Sequence, residues 1–221
     1  MPEANRKPII PPCSLRRGII YLRALAVMNK RDDETVSSDD LARLLCLNNA
    51  TVRRDLSLYG KLGRRGVGYR VGALRNRLHE LCRSPVVRRG ALVGVGRLGT
   101  AFLGHGGLLR VPDLDVRWAF DVDPAKIRTE IAGVRVWDAR EMTGIVRREG
   151  IELGIVCVPA EAAQDTAEAL VAGGIRALLN FAPVQLNLPD HILVSNIDLT
   201  VELENLLLSL AQMETVRASC D

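Results

Sequence analysis

Nowhere in the 221 residues is there an apolar run approaching the roughly 18 to 20 residues of a bilayer span. The opening stretch MPEANRKPIIPPC also lacks the apolar centre of a secretory leader. A soluble, cytoplasmic protein without a membrane partner is therefore expected. Cysteine is sparse: Cys13, Cys46, Cys82, Cys157 and Cys220 lie 33 to 75 positions apart, too far for a C-x-x-C pair, so neither a disulfide framework nor a zinc knuckle is indicated. The three histidines, at positions 79, 105 and 191, form no ligand spacing, and no metal is expected. Aromatic residues make up 4% of the chain and do not interleave with the basic segments, which disfavours a stacking platform for single-stranded nucleic acid.

What is present is a globular composition, 48% hydrophobic and 25% charged, in a length that permits one large domain or two small ones. Charge favours two. Residues 1–90 carry 19 Lys and Arg against 8 Asp and Glu, whereas residues 91–221 carry 11 against 18, so the halves stand at +11 and −7. A basic half joined to an acidic one is the footprint of a nucleic-acid-binding module beside a module that does not bind nucleic acid, the alternative being a solvated basic face.

In the basic half, apolar residues fall at helical spacing from Gly18 to Lys30, Ser37 to Asp40 offer caps for a second helix (LARLLCL), and Asn48-Asn49 can cap a third (ATVRRDLSLYG). Helix, short turn, helix is followed by KLGRRGVGYRV, a glycine-rich hairpin or wing, and by a fourth helix, ALRNRLHELC. The pattern predicts a winged helix-turn-helix domain over residues 1–84. In its third helix Val52, Leu56 and Tyr59 pack inward, which turns Thr51, Arg53, Arg54 and Ser57 outward as a reading face for double-stranded DNA. Arginine serves either guanine edges or phosphates, so Arg53 and Arg54 are candidates for specificity or for affinity. Arg64 and Arg65 on the wing suit a narrow minor groove, and Lys61 a phosphate. Winged helices also mediate protein contacts, which is the rival use of the same surface.

The acidic half begins with ALVGVGRLG, a strand running into Gly94-x-Gly96-x-x-Gly99 and then a helix, TAFLGH. Gly94 allows the tight turn, Gly96 the close approach of a pyrophosphate, and Gly99 close packing of helix on strand; with Arg97 and Leu98 they form the candidate phosphate cradle. The next strand ends at Asp121, 22 positions beyond Gly99 and near the roughly 20 expected of an acid that bonds the adenosine ribose, which favours NAD(H) over NADP(H). Strands and helices continue to alternate, predicting an α/β, Rossmann-like doubly wound parallel sheet over residues 85–198. Its strand-end loops, Val158-Pro159 and Asn180-Phe181-Ala182-Pro183, add cofactor-binding candidates; Phe181 can stack on a ring or plug the core. The last segment, 199–221, opens with a helix carrying Leu199, Leu203, Leu206, Leu207 and Leu210 on one side, a surface that needs its own domain or a second subunit.

The stretches VRRDLSLYGKLGRRGVGYRV, VGVGRLGTA, FDVDPAK, AGGIRALLNFAP and SNIDLTVELENL together resemble the bacterial redox-sensing repressor family Rex, over about Ser14 to Leu208. The resemblance implies a homodimer with a C-terminal helix swapped between subunits, operator DNA bound with NAD+ or without nucleotide, and release on binding NADH. It also places Arg23 and Asp198 as an interdomain pair that exchanges partners between states. His105 stands where many relatives carry a tyrosine of the same coupling region, Leu199 where phenylalanine is common, and Arg128 where glycine is usual. An NAD-dependent oxidoreductase with an appended regulatory domain is the rival reading. It requires a general acid or base near the nicotinamide, and the strand-end loops offer only Glu161 and Asp198 with no catalytic motif, so no enzyme is expected. A nucleotide-gated protein-interaction module without DNA is the third.

Overall fold

The computed structural model describes residues 10–28, 30–64, 66–84, 86–104 and 111–218, with side chains to residue 213. Arg65, His105 and Cys220 lie outside the described residues. The chain divides into two compact units, Met1–Pro85 and Val86–Asp221.

In the first unit α1 (Pro12–Val27) starts at a proline, earlier than the Gly18 at which the apolar spacing begins. The first helical position tolerates proline because its missing N–H would have no intrahelical partner. After β1 (Thr35–Val36), α2 (Ser38–Leu45) opens on a capping box. The Asp40 N–H donates to Ser37 Oγ and the Ser37 N–H to the Asp40 carboxylate, both at 3.0 Å. The Ser37 N–H and the Ser37 hydroxyl, which donates to the same carboxylate at 2.8 Å, draw the Asp40 pKa down. Helix α3 (Asn49–Leu58) is capped by Asn48, which accepts from the Ala50 N–H at 2.8 Å. Strands β2 (Gly63–Arg64) and β3 (Gly68–Arg70) form the expected hairpin, to which β1 adds an unforeseen third strand in the antiparallel order β1-β3-β2, and α4 (Val71–Cys82) follows. Tyr21, Leu25, Leu41, Val52, Leu56, Leu74 and Leu78 fill one fully buried core. The unit is a winged helix.

The second unit runs β4 (Arg88–Val93), α5 (Arg97–Leu103), β5 (Leu114–Asp121), β6 (Glu130–Ile131), β7 (Val134–Asp138), a short 3-10 turn at Ala139–Glu141, α6 (Met142–Glu149), β8 (Leu153–Val156), α7 (Ala160–Gly173), β9 (Ala177–Asn180), β10 (Leu193–Asn196) and α8 (Leu199–Ala218). The sheet order is β10-β9-β8-β4-β5-β7-β6, parallel throughout except for β6, which turns back on β7 as an edge hairpin that the sequence reading lacked. With β6 set aside, the strands stand in the chain order 3-2-1-4-5-6 reversed at β4/β8, the dinucleotide-binding arrangement with its switch point between those two strands. Central strand β4 is buried on both faces. Ala91 and Val93 join the core under α6 and α7, while Leu92 packs with Phe102 of α5 on the other face.

Candidate nucleotide and nucleic-acid sites

The loop that leaves β4 at the switch point is shaped by its glycines. Gly94 has φ +93°, and a Cβ there would lie 2.5 Å from the Cys157 carbonyl oxygen; a Cβ on Gly99 would collide with the Gly94 carbonyl. Both are required by the chain's own packing. Gly96 is different: its φ of −81° suits any residue and a Cβ there would meet nothing within 4 Å. The space that glycine keeps clear at position 96 is outside the protein, in front of the α5 N-terminus, where the N-cap has no side chain and the first-turn amides of Arg97, Leu98 and Gly99 present donors. That fits a pyrophosphate.

Asp121, at the end of β5, is 7% exposed and braces this loop. Its carboxylate accepts the Val95 N–H at 2.8 Å and the Asp123 N–H at 2.9 Å, and Lys126 Nζ stands 3.2 Å away. Burial pushes its pKa up, but the two amides and the ammonium outweigh burial and hold it below the ordinary aspartate value. The acid is ionised, and part of its charge is answered by Lys126.

Val158 and Pro159 follow β8 after Cys157, and Val158 lies against Gly94, so they share the switch point with the glycine loop; the Cys157 thiol is pushed by burial to a pKa of about 12 and is inert. Asn180, fully buried, shapes the last loop. Its amide donates to the Ala182 and Val184 carbonyls and to Asn196 Oδ1 at 2.9–3.1 Å, and its oxygen accepts the Ala182 N–H at 3.0 Å. Its side chain is thereby committed to the protein, leaving backbone and the exposed Pro183 to face a ligand. Phe181 packs on Phe102 of α5, ring centroids 4.7 Å apart, which is the core-plugging use of that ring.

In the winged helix, Val52, Leu56 and Tyr59 are fully buried and Arg53, Arg54 and Ser57 exposed, with Thr51 half-buried. A groove of about 910 Å³ runs from the start of α2 to the wing, lined by Ser38, Asp39, Arg53, Ser57, Lys61 and Arg64. Arg53 leans on α2: its Nε donates to Ser38 Oγ at 3.1 Å and its guanidinium stands 3.7 Å from Asp39. Arg54 makes no ion pair among the described residues. Sequence reading missed the most heavily bonded residue of α3, Asp55, which is 1% exposed and takes hydrogen bonds from Ser14, Arg17 and Tyr21. The signal was there, a charged residue on the apolar side of an amphipathic helix, but its partners lie 34 to 41 positions away.

Of the coupling candidates, Arg23 lies on the exposed side of α1, and Asp198 caps α8, accepting the Thr200 and Val201 N–H groups at 2.9 and 3.3 Å. All described side chains of α8 are exposed, and Leu208 extends the apolar surface beyond the side predicted from spacing. Among the described residues no cluster of His, Cys, Asp or Glu could hold a metal ion, and no helix is long and apolar enough to cross a membrane.

Two family models match the chain: "CoA binding domain" over residues 88–184 and "Putative DNA-binding protein N-terminus" over residues 9–57. The redox-sensing transcriptional repressor Rex of Bacillus licheniformis is 38% identical over 197 residues, 89% of this chain and 91% of that protein. The protein of the same name from Lactobacillus gasseri is 38% identical over 198 residues, 90% and 92% of the two chains. Among solved structures, RSP in complex with β-NAD+ and operator DNA superposes with a TM-score of 0.82 at 29% identity, over 95% of this chain and 96% of that one. RSP in complex with β-NADH gives 0.82 at 28%, over 95% and 98%.

Proposed function

The chain belongs to the Rex family of redox-sensing transcriptional repressors, and from that premise we propose that it represses transcription by binding operator DNA when NAD+ or no nucleotide is bound and releasing it when NADH binds. The observation that carries the nucleotide half is Gly96, a glycine with no steric reason inside the chain, placed where a pyrophosphate must approach backbone amides. Gly94, Gly96, Arg97, Leu98 and Gly99 hold the phosphates. Asp121 faces the adenosine ribose, and the loops at Val158-Pro159 and 180–183 enclose the nicotinamide end. On the DNA side Arg54 and Arg53 read the major groove with Thr51 and Ser57, while Lys61, Arg64 and Arg65 engage phosphates and the minor groove.

The working unit is a homodimer. Helix α8 has 20 residues, about 30 Å of length, and its leucines and Met213 stand more than half exposed, a surface that a second copy covers. Residues 1–84, 85–198 and 199–221 then serve as reader, sensor and dimerisation segment. The activity is regulatory: Asp198, one of two acids available at the strand-end loops, is engaged as a helix cap, and hydride turnover with small alcohols, aldehydes or 2-oxo acids is not expected.

The test is a titration of operator binding against the NADH/NAD+ ratio at fixed total nucleotide, with coenzyme A as a control because its adenosine and pyrophosphate could use the same cradle. Binding that falls as NADH rises, with no response to coenzyme A, supports the reading. Binding indifferent to the ratio rejects it.

A further inference from the structure

Asp55 sits in the middle of α3, next in sequence to the two arginines that face outward. Three residues of α1 at helical spacing, Ser14, Arg17 and Tyr21, converge on its carboxylate. Oδ1 accepts Ser14 Oγ at 2.8 Å and Arg17 Nη2 at 2.8 Å; Oδ2 accepts Arg17 Nε at 2.5 Å and Tyr21 Oη at 2.7 Å. Each oxygen thus takes two hydrogen bonds, its full lone-pair capacity. Tyr59, at the end of α3, donates back to the Ser14 carbonyl at 2.5 Å. A second tie thus joins the two helices, one turn further along from Asp55.

Stability alone does not call for this arrangement, since a buried ion pair is often no better than well-packed apolar side chains of the same volume. Apolar burial of Val52 and Leu56 is non-directional. Four directional bonds to one carboxylate fix the rotation of α3 about its axis. Base recognition needs side chains held to within a fraction of an ångström by a rigid surround. Resting on the reading of α3 as the DNA-facing helix, we infer that Asp55 is a positioning residue, whose carboxylate locks α3 to α1 so that Arg53 and Arg54 meet the bases in one register.

A duplex enriched from a random-sequence pool on the unmodified protein, and a scrambled duplex of the same length, give two affinities whose ratio reports discrimination. Measured well below the melting temperatures of all variants, Asp55→Asn should lower that ratio by about tenfold or more with far-UV circular dichroism unchanged, because phosphate contacts tolerate a loosened helix and base contacts do not. Arg17→Lys, which keeps the charge but not the bidentate fork, should lower it by a smaller factor. A role in stability alone predicts lower melting temperatures with the ratio intact, and that result overturns the inference. Should Asp55→Asn fail to fold, Tyr21→Phe decides, since it removes one bond and keeps the ring: an unchanged ratio in that variant rejects the lock. Arg54→Ala is the control on the underlying reading. A loss there with none in the Asp55 and Arg17 variants rejects positioning only, whereas no effect in any of them rejects α3 as the reading helix and the lock with it.

Discussion

Asp121 has one structural duty and, in the proposed function, a second. Its bond to the Val95 N–H, on a residue only 2% exposed, holds the glycine loop to the end of β5, and the proposed nucleotide site sets its charge toward the adenosine ribose. The duties separate by substitution. Asp121→Ala strands the Val95 donor, a loss of about 1–3 kcal/mol that should appear as a lower melting temperature. Asp121→Asn keeps an acceptor and should melt nearer the unmodified protein. Both remove the charge and leave Lys126 paired only with Asp123, so NADH affinity should fall roughly 10- to 100-fold while the preference over NADPH narrows, because a 2′-phosphate meets one anion fewer. Calorimetric titration of both nucleotides checks this, and equal affinity for NADH and NADPH in the unmodified protein would remove its basis. Asp55 supplies a second residue-scale expectation. Burial pushes its pKa up, yet the bonds from Arg17, Tyr21 and Ser14 outweigh burial and leave it below the ordinary value near ~3.9. A folded-state pKa below the unfolded one gives stability that is fully present above the unfolded value and is lost as pH falls through the folded one. The difference in unfolding free energy between the unmodified protein and Asp55→Asn should therefore be flat from neutral pH down to about 5 and shrink below about 4. Denaturant titrations across that range measure it, and a difference that stays constant to pH 2 would show that the carboxylate's ionisation does not matter to folding.

At the scale of elements, what was legible in the sequence is what neighbouring residues determine. The helix-turn-helix, the wing, the strand-loop-helix around Gly94 to Gly99 and the strand ending at Asp121 each announce themselves within about a dozen residues, through caps, glycines and apolar spacing. The elements that escaped depend on partners elsewhere. Strand β1 is two residues long and exists because β3, more than thirty positions on, offers an edge. Strand β6 reaches β7 through a turn in which Ala132 and Gly133 both have positive φ, at +50° and +84°, and alanine is not a residue that signals such a turn. The first turn of α1 escaped because the apolar spacing begins only at Gly18, whereas the helix starts at Pro12, a first position that accepts proline. That omission concealed Ser14 and left Arg17 outside the helix, and with them the attachment of α3. The site divides the same way. The glycine loop was readable from its spacing, whereas the commitment of the Asn180 side chain to three carbonyl or amide oxygens of the protein could be seen only once strands β9 and β10 lay side by side.

For the whole molecule the question is how a nucleotide at one unit governs DNA at the other. A ligand shifts a conformational equilibrium only by its differential affinity for the two states, and the coupling is reciprocal: if NADH lowers operator affinity by some factor, operator must lower NADH affinity by the same factor. The family resemblance assigns part of this coupling to Arg23 and Asp198, but Asp198 also has a local duty as the cap of α8, which carries the exposed leucines of the proposed dimer. Removing a capping aspartate costs about 0.5–2 kcal/mol, so a loss of function on substitution by alanine would be ambiguous alone. Asparagine caps about as well as aspartate and carries no charge. Asp198→Asn should keep the melting temperature and the dimer, bind NADH and operator separately, and respond less to NADH, whereas Asp198→Ala should lose both the cap and the response. The measurement is the ratio of operator affinities with and without saturating NADH, taken on the same preparations as the melting curves, with NADH affinity in the presence and absence of operator as the reciprocal check. If Asp198→Asn retains the full NADH response while Asp198→Ala merely melts earlier, the aspartate is a cap and the signal between the units travels through other residues.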